Sequence, residues 1–320
     1  MKGPALLLAG IVLFSVNDAN SKLLSGHYGI GQVIFLRYVM LLPAFLAARA
    51  LLAGFGRPGF GGPLATRHPW LQAFRACSMM VSAAGFFLGF RHLPLAEGYL
   101  VFFTAPLLTL VLAAAFLREP VPRIAWVWCL VGFGGVLLSV APKLGGGGGP
   151  AVGYLAVLAG TVAFAVNQTL NRRLRAEPGL VGVILWPSLV GLVLFGPMAA
   201  ADWAPAPPGD ILRMLANGAL AGGAVICTAA AYRASDAARL GPWGFAALPV
   251  SVAFDLAIWD RWPDAATLLG GAVVVGACLM SERARRRALA QAIPAGKAWV
   301  PSAPSGKATT LRTAESGKAP

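Results

Sequence analysis

Most of the first 281 residues falls into apolar runs of about 17–25 residues, the length a helix needs to cross a hydrocarbon core roughly 30 Å thick. Ten such runs occur, over about 4–24, 30–53, 70–91, 95–117, 123–141, 151–172, 179–200, 210–232, 240–259 and 265–281. Breakers separate them: Gly26 and Gly29, residues 54–63, Pro94, Pro120 and Pro122, residues 145–150, Pro178, residues 205–209 and Pro263. The pattern predicts an all-α integral membrane protein of ten transmembrane helices. The first run follows Lys2 in the manner of a secretory signal, but no small-x-small cleavage site leads into a soluble domain, so it is read as a retained span.

Only 12% of the residues are charged, against about a quarter in a soluble domain, so lipid is the expected solvent. The net charge of +14 is explained by where it sits. With the N-terminus inside, cytoplasmic segments hold Lys2, Arg49, Arg57, Arg67, Arg118, Arg123, Arg172, Arg173, Arg175, Arg233 and Arg239. The other side holds Arg91, Lys143 and Arg261 beside four aspartates. That bias predicts an even helix count with both termini cytoplasmic, in a bacterial-type inner (plasma) membrane, and it removes the need for a nucleic-acid partner.

A repeat divides the chain. Gly10, Val12, Phe14, Val16, Asn17 and Leu24 return at the same spacing as Gly160, Val162, Phe164, Val166, Asn167 and Leu174. Pro106 and Pro249 lie mid-span in the fourth and ninth runs, and the fifth and tenth carry small-residue seams at Gly132, Gly134 and Gly135 and at Gly270, Gly271 and Gly276. Five spans is an odd number, so two such units enter the membrane from opposite sides: an inverted 5+5 repeat, the design of many secondary transporters. The expected units are 1–144 and 151–281, joined by a flexible glycine linker at 145–149. A basic tail without structure is expected over 282–320, its opening stretch E-R-A-R-R-R able to meet anionic headgroups.

Polar residues inside such spans mark candidate function, because lipid tolerates them only against protein or a wet cavity. Asn17 and Ser21 share a helix face, as do Asn167 and Asn171, and the two asparagines are expected to bracket the bilayer centre as cavity lining or interhelical glue. Asp18 and Lys22 stand one turn apart in the order that favours an ion pair, and Asp18 is otherwise a proton or ammonium site; Gln168 takes its place in the second half. Arg37 is read as a clamp on helix carbonyls or a carboxylate binder, and Arg75 as snorkelling to the cytoplasm. Glu97 and Asp255, near span ends, are candidates for titration in a proton-coupled cycle. Ser78 and Ser82 line a cavity or bond their own backbone. Tyr99, Trp186 and Trp243 are stacking platforms for a planar substrate or interfacial belt. Pro106 and Pro249 free the carbonyls of Phe102 and Phe245 and are hinge candidates.

No enzyme signature competes. His27, His68 and His92 lie at loops and span ends without metal-ligand spacing, and no G-x-S-x-G or H-E-x-x-H motif is present. Cys77, Cys129, Cys227 and Cys278 sit in apolar runs with no CxxC pair. No metal, cofactor or nucleotide drive is expected.

The stretches G-Q-V-I-F-L-R-Y (31–38), R-H-L-P-L-A-E-G-Y (91–99), F-T-A-P-L (103–107) and F-L-R-E-P-V-P (116–122) leading into V-G-F-G-G-V-L-L-S resemble the EamA-type branch of the drug/metabolite transporter superfamily, over about residues 4–283. The resemblance implies a cavity lined by helices one to four and six to nine, alternating access by rocking of the two halves, and cargo such as amino acids, vitamins, nucleoside-like metabolites or drugs. Arg37 and Glu119 fall on recurring family positions, while Trp262-Pro263 stands where Glu119-Pro120 aligns, a departure from symmetric roles. The leading expectation is export of a small amino-acid-type metabolite. The alternatives are import of a vitamin or nucleoside-like compound, and a membrane scaffold that transports nothing.

Overall fold

The computed structural model describes residues 2–55, 62–116, 121, 123–146, 148–174, 181–234 and 241–292. Glu119 and the tail beyond residue 292 lie outside the described residues, as do Arg57, Arg118, Arg175 and Arg239. Every regular element among the described residues is helical. Nine segments among them are long and apolar enough to cross a membrane, and one further apolar helix, Trp243–Trp259, is shorter.

The first three runs form α1 (Lys2–Ser25), α2 (Ile30–Gly54) and α3 (Pro69–His92). The fourth is broken: α4 (Leu95–Phe102) ends, and α5 (Ala105–Phe116) begins two residues later. Pro106 is therefore the second residue of a new helix, where its missing N–H has no intrahelical acceptor to lose. The interrupted backbone is met by neighbours, since Thr104 Oγ1 donates to the Val101 carbonyl (2.7 Å) and Cys278 Sγ lies 3.4 Å from the Phe103 carbonyl. The ninth run breaks likewise, into a 3-10 turn Gly241–Ala246 and a helix Ala247–Trp259 whose third residue is Pro249. Pro106 and Pro249 thus each lie within three residues of an interruption in the α-helix of their span.

The remaining elements are α6 (Arg123–Val140), α7 (Gly148–Arg173), α8 (Trp186–Ala201, after a π turn Val181–Leu185), α9 (Pro208–Ala234), α10 (Ala247–Trp259) and α11 (Ala265–Ala292). At about 2.0 Å per residue for the 3-10 turn and about 1.5 Å for α10, the short ninth run still extends roughly 31 Å. Two expectations change. A 3-10 turn over Ala141–Gly146 and the start of α7 at Gly148 narrow the glycine linker to Gly147, outside the described residues. The basic stretch after residue 281 continues α11 to Ala292, with Arg286 Nε 2.9 Å from Glu282 one turn earlier, so it is helical.

The helices pack in a reciprocal pattern. α1 lies against α9 and α3 against α7; α2 packs on α8, α4 on α10 and α6 on α11. The repeated glycine sits at a close crossing in each of the first two pairs. A Cβ at Gly10 would lie 2.7 Å from Thr228 Oγ1 and 3.2 Å from the Ala224 carbonyl; one at Gly160 would lie 3.1 Å from the Ser82 carbonyl and 3.3 Å from Gly85 Cα. Without a hydrophobic drive between helices in lipid, such close backbone approach supplies the van der Waals contact that holds them. In the α6–α11 seam, Gly135 and Gly270 face each other's backbone, while Gly134 and Gly276 meet nothing within 4 Å and point away.

Candidate functional site

Between these pairs lies a cavity of about 230 Å³, below the roughly 300–1,000 Å³ of drug-sized ligand sites. Helical spacing explains its lining. On α1, Phe14, Asn17, Asp18 and Ser21 recur at i, i+3, i+4 and i+7, so all four face inward. On α3 the same period brings Met79, Ser82, Phe86 and Phe90 to one wall. α2 adds Arg37, α4 adds Tyr99 and Phe102, α7 adds Phe164 and α9 adds Asn217. The aromatic rings pack edge to face or in stacks: Phe102 on Phe164 at 5.0 Å, Phe86 on Phe102 at 5.4 Å, Phe90 on Tyr99 at 6.0 Å between centroids.

The polar groups gather on the α1 side. Tyr99 Oη donates to Asp18 Oδ2 (2.7 Å), and Asn17 Nδ2 donates to Asp18 Oδ1 (3.0 Å). Ser21 Oγ accepts from Asn217 Nδ2 (3.2 Å), and Asn217 Oδ1 accepts from Asn20 Nδ2 (2.7 Å), so a polar seam joins α1 to α9. Asn17 is 3% exposed, yet its Oδ1 has no hydrogen-bond partner, and neither has the buried Nε of Arg37. Asn217 and the phenylalanines of α3 were not singled out from the sequence. A lone asparagine in an apolar run and three phenylalanines on one helix face were the signals available.

Several expected pairings are replaced. Lys22 does not meet Asp18: its Nζ lies 3.4 Å from Asp255 Oδ1 and 4.3 Å from the centre of the Trp259 ring, because Asp18 is already held by Tyr99 and Asn17. Asp255, 1% exposed, also accepts from the Leu95 (3.0 Å) and Ala96 (2.7 Å) N–H groups, capping α4 from another helix. Glu97 stands outside the cavity lining, where it pairs with Lys143 (2.6 Å) and accepts from Tyr154; Lys143 also meets Asp264 (3.0 Å).

Asn167 is not in the cavity lining either; its Nδ2 donates to the Arg75 carbonyl (3.0 Å), tying α7 to α3. Arg75 does not snorkel: it is 5% exposed and donates to Asn171 Oδ1 (2.9 Å) and to the Gly182 carbonyl. Asn171 Nδ2 in turn reaches Asn167 Oδ1 (3.1 Å) and the exposed Gln168 (3.0 Å). This network sits one turn beyond Met79, the cavity residue on α3 nearest that end. Ser82 lines the cavity, whereas Ser78 Oγ donates to the Arg75 carbonyl (2.8 Å). Trp186 is half-buried at the start of α8 and Trp243 is exposed; neither reaches the lining. Among the described residues no cluster of three His, Cys, Asp or Glu side chains is placed to hold a metal.

Residues 1–141 match the EamA-like transporter family. The chain is 23% identical over 295 residues to an S-adenosylmethionine uptake transporter of Rickettsia bellii, covering 91% of this chain and 97% of that one. It is 24% identical over 293 residues to a pseudopaline exporter of Pseudomonas aeruginosa, covering 88% and 98%. One crystal structure shares the fold at TM-score 0.58 and 22% identity, covering 87% of this chain and 98% of its own. The family match over residues 1–141 and transporter relatives along nearly the whole length agree in likening the chain to EamA-like transporters, and the solved structure shares its all-helical fold.

Proposed function

We propose that the chain is a secondary transporter of small organic metabolites, amino-acid-type compounds foremost, working by alternating access in a bacterial-type inner membrane. One observation carries this reading: a carboxylate, a guanidinium, two asparagines and two serines line a cavity among apolar helices, an arrangement lipid tolerates only for protein or water contact. The two units 1–144 and 151–281 are proposed as an inverted repeat with both termini cytoplasmic. The reciprocal pairing of α1 with α9 and α3 with α7 supports it, as does the close crossing at Gly10 and Gly160. The Arg75–Asn167–Asn171 network then serves as the closed gate at one end of the cavity, broken when the halves rock.

Such a carrier is reversible, and the gradients it meets set its direction; relatives on this scaffold include one named for uptake and one for export. Export is the direction proposed here, and counterflow in proteoliposomes loaded on either side tests it. Of Asp18, Glu97 and Asp255, Asp18 alone lines the cavity, so a proton-coupled cycle is assigned to it.

Asn17→Ala is expected to lower exchange at least tenfold in proteoliposomes while leaving the melting temperature near wild type. Asn167→Ala is expected to do the reverse, losing about 1–2 kcal/mol of stability with substrate affinity kept. Unchanged exchange by Asn17→Ala would remove the cavity from the transport path. Topology has its own check. In a cysteine-free background, Cys introduced at Ala65 should react only with reagent on the cytoplasmic side, and Cys at Asp202 only from outside. Labelling of both from one side contradicts the arrangement.

A further inference from the structure

We propose that the cavity selects zwitterions, holding a cationic centre against the Asn17–Asp18 wall of α1 and a carboxylate at Arg37 of α2, with the rest of the substrate on the phenylalanine wall. This deepens the transport reading and rests on it. The two poles line one cavity and are not spent on each other: no ion pair joins Asp18 to Arg37, and Arg37 forms none with any carboxylate among the described residues. Two polar atoms are left over. The Oδ1 of Asn17 is an acceptor without a donor, on the wall that also carries Asp18; the Nε of Arg37 is a donor without an acceptor.

A carboxylate has about four lone-pair sites, and Asp18 uses one on each oxygen for Tyr99 and Asn17. Two lone-pair sites remain for an ammonium, on the helix that also carries the Asn17 oxygen, and Phe14 and Phe86 line the same cavity. The planar fork of Arg37 suits a carboxylate, and its cation makes that hydrogen bond charge-assisted. Neutrality decides the class. The cavity already holds one charge of each sign, so a zwitterion pairs both and adds none. A lone amine leaves Arg37 without a counter-ion in the cavity, and a lone carboxylate leaves Asp18 without one, each a costly state once water is displaced. The volume of about 230 Å³ suits an amino-acid-sized body.

The test uses the full-length protein purified in detergent. L-phenylalanine, L-tryptophan and L-methionine are titrated by calorimetry, each beside its decarboxylated amine and its deaminated acid. At least one amino acid should bind, with both of its single-charge analogues at least about tenfold weaker. Asp18→Asn should lose the amino acid about tenfold or more while keeping or gaining affinity for the deaminated acid. Arg37→Gln should show the mirror image, keeping the amine. An amine or an acid that binds as tightly as its parent overturns the proposal, and so does failure of all three amino acids to bind. If a variant is not recovered as monodisperse protein, the wild-type analogue series decides alone. Proteoliposomes that exchange solutes without this charge rule overturn the zwitterion assignment and leave transport standing. Proteoliposomes inactive toward every solute tried remove the transport reading itself.

Discussion

Asp255→Ala should destabilise the protein by about 3–5 kcal/mol, the range for removing one partner of a buried ion pair. Asp255 is 1% exposed, and its side chain and that of Lys22 are 2% and 11% exposed, so water screens the pair little. The carboxylate serves three helices at once. It accepts the first N–H groups of α4 at Leu95 and Ala96, which have no acceptor in their own helix, and it neutralises Lys22 of α1. Alanine leaves two backbone donors and an ammonium together in an apolar setting.

Lys22→Met should cost much less, because Asp255 keeps both backbone donors and the methionine keeps most of the apolar stem, losing the ammonium's contact with Asp255 and with the Trp259 ring. Asp255→Asn, which retains an acceptor and loses the charge, should fall between. Denaturant unfolding of the three variants checks the order. Equal losses in Asp255→Ala and Lys22→Met would mean that the ion pair carries the effect and the cap of α4 nothing.

Nine of the ten expected spans among the described residues, the breaks between runs and the inward face of α1 were legible because each is set locally. Hydrophobic run length gives a span, and a 3.6-residue period puts Asn17, Asp18 and Ser21 on one side. Arg37 was legible for a similar reason, as a charge two turns inside an apolar run. The choice of partner was not legible. Lys22 has Asp18 one turn away in sequence and takes Asp255, 233 residues on, because α10 brings that carboxylate to it. Local geometry favoured one pair and packing selected the other.

The two asparagines diverge for the same reason. Asn17 faces a wall of rings, while Asn167, its counterpart in the repeat, meets the Arg75 carbonyl of a helix that crosses closely enough to fill the space. A repeat fixes the backbone path, and the neighbours fix what each copy of a residue does. Pro106 and Pro249 show the limit of a rule applied alone. A proline inside an apolar run reads as a kink, but Pro106 is the second residue of a helix that starts after a break and Pro249 the third after a 3-10 turn.

Gly85→Leu should yield no monodisperse protein, and Gly85→Ala should lose about 2–3 kcal/mol, at the upper end for overpacking. A Cβ at this position would meet the Ala156 carbonyl oxygen at 2.5 Å, Gly160 Cα at 2.7 Å and Gly160 N at 2.8 Å. All three are backbone atoms, so no rotamer change relieves the clash; α3 must move off α7. That movement has consequences on both sides of the contact. Towards one end it stretches the hydrogen bonds of Arg75 with Asn171 and of Asn167 with the Arg75 carbonyl. Beside the contact it draws Ser82 and Phe86 of α3 away from Phe164 of α7 and opens the cavity wall. Gly85→Ala should therefore lose substrate affinity along with stability, whereas Gly134→Ala, with nothing within 4 Å of its Cβ, should be neutral or gain up to about 1 kcal/mol from helix propensity. Melting curves and calorimetric titration of the two alanine variants make the comparison. A Gly85→Ala protein that melts and binds like wild type would show that the α3–α7 crossing is loose, and that the cavity does not depend on how closely those two helices meet.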